Sequence, residues 1–170
     1  MKLSHHIDFD FLLNLPEQTA IEFVRDVEVS LSRASFINNL TVNTDNLIEA
    51  DIPVNAALFG QQNLEFKSHL VNIEHGARLE PIDINTNAPG WAKVAGHSVV
   101  SSAKKGSRVE YRFDITIMLN LPKAEKWGGK ALTKMIEFTA QKVLERICSS
   151  FPSAVQEAAK ELEISFEQVS

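Results

Sequence analysis

The side chains that could do chemistry near neutral pH are few: five histidines, one cysteine and one tyrosine, besides the carboxylates. The histidines are His5, His6, His69, His75 and His97. A metal site needs ligands that converge at suitable spacing. His5 and His6 are adjacent and would point to opposite faces of a strand, so they cannot readily chelate together. His69 and His75 flank a turn and could approach across a hairpin near Glu74, but solvated or hydrogen-bonded histidines are the plainer reading. Cys148 falls late in a helical stretch, where the helix dipole disfavours a thiolate and buried thiols are usually inert. The chain has no G-x-S-x-G elbow, P-loop, G-x-G-x-x-G or H-E-x-x-H. Acid pairs such as Glu49 and Asp51 alternate on an outward strand face and read as solvated. An acid–base pair of His97 and Tyr111 is conceivable if both are buried. The expectation is therefore no nucleophile, no metal ligand and no cofactor.

A second set of residues suits binding rather than catalysis. Phe36, Phe66, Trp91, Tyr111 and Phe113 lie on strand-like segments, and Met135 and Phe138 on a helical one. Gathered together they could line an apolar pocket, with Ser68, His97 and Tyr111 as the placed polar groups such pockets use. Aromatic and aliphatic stripes more often fill a solid core, and that reading stands beside the pocket. Lys126, Lys130 and Lys134 repeat at four-residue spacing and make a basic stripe. It reads as a solvated face, or as a contact for an acidic protein or an anionic surface. Three lysines are too few for strong membrane attachment, at about 1 kcal/mol each.

The elements that must position these residues follow from periodicity. Trp127 to Phe151 is the longest helical stretch, with Leu132, Met135, Ile136, Thr139, Val143, Ile147 and Phe151 at helical spacing. Gly128 and Gly129 sit at its start. Phe151-Pro152 is expected to interrupt it, and Ser153 with Gln156 to cap a short following helix over Val155, Ala158, Ala159 and Leu162. At the other end, Ile7, Phe9, Phe11 and Leu13 alternate as a strand, and Pro16-Glu17 opens a short helical pair reaching Leu31. About six further strands follow. Ile48 to Val54, Leu64 to Leu70 and Trp91 to Val100 are three of them. The clearest is the last, with Val109, Tyr111, Phe113, Ile115, Ile117, Leu119 and Leu121 on one face and Pro122 closing it. Short turns such as Lys104-Lys105-Gly106 imply an antiparallel meander, whose apolar face needs a cover. The long helix is the one element large enough to supply it.

No Pro/Ser-rich linker and no repeat divides the 170 residues, so residues 1–170 read as a single domain with 151–170 as a helical extension. The lone cysteine precludes an intrachain disulfide framework and suits a cytoplasmic setting. No stretch approaches the ~20 apolar residues of a membrane span. The net charge of −5 argues against a nucleic-acid binder, which usually shows a basic face. The charge is uneven: residues 123–146 hold six Lys/Arg against three Glu, so the remainder carries −8.

The order of one strand, a helical pair, six strands and a long helix resembles the α+β helix-grip fold. That fold belongs to the START-like (SRPBCC, Bet v 1-like) superfamily, which includes polyketide cyclases. Phe23-Val24-Arg25-Asp26 through Ser30-Leu31-Ser32-Arg33 is similar to the helical insertion of an uncharacterised bacterial family within it. Pro53-Val54, Leu58-Phe59-Gly60 and Phe66-Lys67-Ser68 resemble its central hairpin, and Trp127-Gly128-Gly129 its helix start. The resemblance implies a cavity between sheet and helix and no catalytic motif. Three readings follow from it: a binder of an apolar small molecule or lipid, a filled-core module that docks a protein, or an enzyme of the cyclase type. Homo-oligomerisation is left open.

Overall fold

The computed structural model describes residues 1–56, 60–84, 87–120 and 129–169. Strand β1 spans Lys2–Leu13 and is followed by helices α1 (Glu17–Arg25) and α2 (Val27–Ser30). Six strands then run in succession: β2 (Asn38–Val42), β3 (Leu47–Ala56), β4 (Gly60–Ile73), β5 (Gly76–Pro81), β6 (Gly90–Ala103) and β7 (Gly106–Leu119). Helix α3 spans Gly129–Val169. Leu58-Phe59, Leu121, Pro122, Lys126 and Trp127-Gly128 lie outside the described residues.

The seven strands form one sheet in the order β1-β7-β6-β5-β4-β3-β2. Successive strands in this order pair antiparallel, β1 returning to pair with β7, and the added contact of β4 with β6 is parallel. β5 is short, and past its end β4 and β6 meet at Glu65 and Trp91. The period of two in β7 holds: Val109, Tyr111, Phe113, Ile115 and Ile117 are all buried on one face. Opposite Val109, Tyr111 and Phe113 in register stand Phe11, Phe9 and Ile7 of β1, and Leu13 stands opposite the buried Ser107. Ile48, Ala50, Ile52 and Val54 of β3 and Leu64, Phe66, Ser68 and Leu70 of β4 continue the buried face.

Two packed clusters lie on this face. Ala140, Val143, Leu144 and Ile147 of α3 cover β3, β4 and the Ile115–Ile117 end of β7. Val155, Ala158 and Ala159 cover the second cluster, where α1 contributes Ala20, Ile21, Phe23 and Val24 against Leu13, Val109 and Tyr111. At α1, Arg25 donates to the carbonyls of Ile73 (2.7 Å) and Gly76 (3.0 Å), tying α1 to the turn between β4 and β5.

The expected break at Pro152 does not occur. Helix α3 continues through it to Val169. A proline inside a helix costs about 3 kcal/mol through its lost N–H and its clash with the preceding turn. Here the buried faces before and after it are in phase, so a continuous helix packs Ile147, Ala154 and Val155 together onto the sheet. Polar contacts hold the far end. Glu163 accepts from the Asn14 backbone N–H, and Glu161 pairs with Arg33. Residues 151–162 are thus part of the packed body rather than an appendage.

The phase of α3 makes a direct prediction. Leu144 is fully buried and Phe138 is 64% exposed. Leu144→Ala is expected to cost ~2–5 kcal/mol, and Phe138→Ala to stay within about 0.5 kcal/mol of the parent. Equal shifts in the urea midpoint for the two variants would contradict the packing of α3.

Candidate ligand cavity

Between the buried face of the sheet, the helical pair and α3 lies a cavity of about 70 Å³. Strands β1, β3, β4, β6 and β7 present Ile7, Ile48, Phe66, Val94, Tyr111 and Phe113 to it. Helices α1, α2 and α3 close it with Val24, Val27, Ile147 and Phe151, and Phe36 and Ile37 close it from the segment before β2. Among the described residues the wall is apolar apart from Ser30, Ser98 and Tyr111.

Phe151 is the centre of an aromatic cluster. Its ring lies 5.6 Å from Phe9, 5.7 Å from Phe113, 5.9 Å from Tyr111 and 6.0 Å from Phe36. Tyr111 stacks on Phe9 at 5.1 Å with nearly parallel planes. Such offset and edge-on pairs are favourable beyond the area they bury.

Tyr111 carries the unusual feature of the site. It is 4% exposed, and its hydroxyl is buried without a hydrogen-bond partner among the described residues. Burial drives its pKa far above the usual tyrosine range, so the group stays a neutral hydroxyl. Buried polar groups almost always find a partner, and an orphan calls for an explanation.

Of the residues nominated from sequence, Phe36, Phe66, Tyr111 and Phe113 line the cavity. The other five do not. Ser68 is buried on the inward face, but its hydroxyl donates to the Val94 carbonyl at 3.1 Å and so helps join β4 to β6. Trp91 and His97 stand on the outer face of β6, because the inward positions are Ala92, Val94, Ser98 and Val100. The Lys93 ammonium sits 5.2 Å from the Trp91 ring, a cation–π contact on that outer face. With His97 outside, it cannot form an acid–base pair with Tyr111.

Met135 (47% exposed) and Phe138 (64% exposed) project away from the sheet. Met135 lies sixteen residues before Phe151, and steps of four drift around a helix of 3.6 residues per turn. At about 100° per residue the two are about 160° apart, so both cannot face the cavity. Phe138 is likewise about 180° from Ile147. Lys130 and Lys134 are exposed on the same outer side of α3, and Lys142 lies 5.4 Å from the Phe138 ring.

Sequence reasoning missed Phe151, Ile147, Ser98 and the helical-pair residues as cavity walls. Phe151 and Ile147 were visible on the apolar stripe of α3, and extending that stripe at true helical pitch would have found them. Ser98 carried no such signal. Cys148 is partly buried, which raises its thiol pKa above the ordinary value. Among the described residues no three His, Cys, Asp or Glu side chains gather as a metal site.

A family described as a protein of unknown function, DUF3809, matches residues 8–149. This chain belongs to the DUF3809 family. The family match thus stops short of Phe151 and Val155, although both are packed into the body of this member. Among curated proteins nothing matches.

Solved structures show the same fold at low identity. The chain is similar to the di-domain ARO/CYC StfQ from the steffimycin biosynthetic pathway, at 14% identity and a TM-score of 0.53. That likeness covers 98% of this chain and 53% of the other. It is similar to TTHA0849 from Thermus thermophilus at 12% identity and a TM-score of 0.52, over 93% of this chain and 99% of the other. A third likeness is to the Polyketide_cyc-like protein Cgl2372 from Corynebacterium glutamicum. It has 12% identity and a TM-score of 0.50, over 98% and 96% of the two chains. The DUF3809 chain spans about half the length of the two di-domain structures it matches, 53% and 50%. The fold is the helix-grip fold, one antiparallel sheet closed by a long C-terminal helix. No helix of the described residues is long and apolar enough to cross a membrane.

Proposed function

We propose that this DUF3809 protein binds a small, largely apolar molecule in the cavity between its sheet and α3. The observation that carries the reading is an apolar cavity lined by Tyr111, whose buried hydroxyl has no partner among the described residues. Well-packed interiors contain few voids larger than a water. Burial of apolar ligand surface would supply roughly 25 cal/mol per Å² before the costs of association. The cavity, at about 70 Å³, is smaller than the ~300–1,000 Å³ typical of ligand pockets. A lipid chain or polycyclic molecule would therefore require the Phe151 ring or the side chains of α2 to move.

Native mass spectrometry of freshly purified protein, with solvent extraction of any bound compound, tests this directly. Titration with a hydrophobic fluorophore follows, on the parent and on Ala77→Leu, which places three carbons into the cavity wall. Binding by the parent and at least a tenfold loss in Ala77→Leu is the expected result. No uptake by the parent would end the proposal.

A second reading is a filled-core module that docks an acidic protein. It is favoured by the modest cavity and by the exposure of Phe138 and Met135 beside Lys130 and Lys134 on α3. It takes precedence if the parent binds no hydrophobic probe.

A further inference from the structure

We propose that the cavity selects neutral, compact molecules carrying one hydrogen-bond acceptor, a carbonyl or ether oxygen, which the Tyr111 hydroxyl engages. This rests on the ligand-binding reading of the same cavity and names the class of ligand.

The first half concerns charge. Apart from Tyr111, no side chain on the wall is ionisable among the described residues. The cationic group tied to the adjacent helical pair, the Arg25 guanidinium, is committed to the Ile73 and Gly76 carbonyls. A carboxylate or ammonium ion entering this space would lose its hydration and meet no counter-charge, which is prohibitive. Fatty-acid carboxylates and phosphate headgroups are thereby disfavoured inside the cavity.

The second half concerns the orphan hydroxyl. Phenylalanine at position 111 would keep the stacking on Phe9 and the edge contact with Phe151 without burying an unpaired oxygen. A water is a poor substitute for the missing partner. Buried waters need two to four polar contacts, and this wall is otherwise hydrocarbon save for two serines. One of these, Ser30, lies within 3.5 Å of the Val27 carbonyl as a donor. Because the Tyr111 hydroxyl keeps its proton, it has a hydrogen bond to give, and a ligand acceptor can receive it.

The test compares cyclopentanone with its near-isostere methylenecyclopentane and with cyclopentanecarboxylate. Binding is followed by chemical-shift titration of the parent and of Tyr111→Phe. The parent is expected to prefer the ketone over the alkene by about threefold or more, the scale of one net hydrogen bond. Tyr111→Phe should lose that preference while still binding the alkene, and the carboxylate should bind neither protein. If ketone and alkene bind equally in the parent and in Tyr111→Phe, the hydrogen-bonding assignment is overturned while the cavity remains a binding site. A carboxylate bound as tightly as the ketone overturns the neutral-ligand half. If no probe binds the parent, the ligand-binding reading itself falls, and this inference with it.

Discussion

Truncation after Ser150 abolishes cooperative folding: this is the largest effect expected from the structure. The removed residues include Val155, Ala158 and Ala159, each at most 3% exposed, and Phe151 at the centre of the aromatic cluster. Val155 alone contributes about 1.5–3 kcal/mol of burial, and the alanines, Phe151 and Leu162 add to it. The sum, on the order of 5 kcal/mol or more, is comparable with the whole stability of a typical domain. Truncation also uncovers Leu13, Val109 and Tyr111 and frees the Asn14 N–H from Glu163. Far-UV circular dichroism and urea denaturation check this. A soluble 1–150 fragment with the parent's midpoint would show that the second cluster needs no cover from α3.

Phe113→Ala is expected to destabilise the protein by ~3–5 kcal/mol, the range for a large aromatic removed from a core. Phe113 is 7% exposed and stands opposite Ile7 on one side and Gly96 on the other. At Gly96, φ is +155°, and a Cβ there would meet the Phe113 Cδ1 at 2.7 Å and the Arg112 carbonyl oxygen at 2.2 Å. The bare glycine lets β6 and β7 approach, and the Phe113 ring covers the gap it leaves. The ring also packs 5.7 Å from Phe151, so its loss removes a contact between sheet and helix. Because Phe113 lines the cavity, the same variant should bind the fluorophore more tightly where it remains folded. An unchanged denaturant midpoint would mean that the ring does not carry the packing seen here.

Much of this architecture is legible in the chain itself. A strand repeats every two residues, so the apolar run Val109, Tyr111, Phe113, Ile115, Ile117 specifies both the strand and its buried face. The same rule assigns β1, β3 and β4, and short turns at sites such as Lys104-Lys105 impose the meander. Tyr111 emerged as the polar group facing inward for that reason alone. These features depend on neighbours along the chain.

The tertiary structure decided what depends on distant partners. In β6, Val94, Val99 and Val100 do not alternate cleanly, so its phase is set by pairing with β7, which sends Trp91 and His97 outward. Steps of four along α3 accumulate drift, and which part of the stripe is buried depends on where the sheet ends. That leaves Met135 and Phe138 in solvent and brings Phe151 inside. Pro152 is a local helix breaker whose cost is outweighed by burial on both sides of it, a balance absent from the local sequence. The Ser68 hydroxyl is taken by the Val94 carbonyl, which only the meeting of β4 and β6 places within reach. The cavity volume is a small remainder between large packed volumes, so no pattern of residue types fixes it, and only the assembled side chains set it at about 70 Å³.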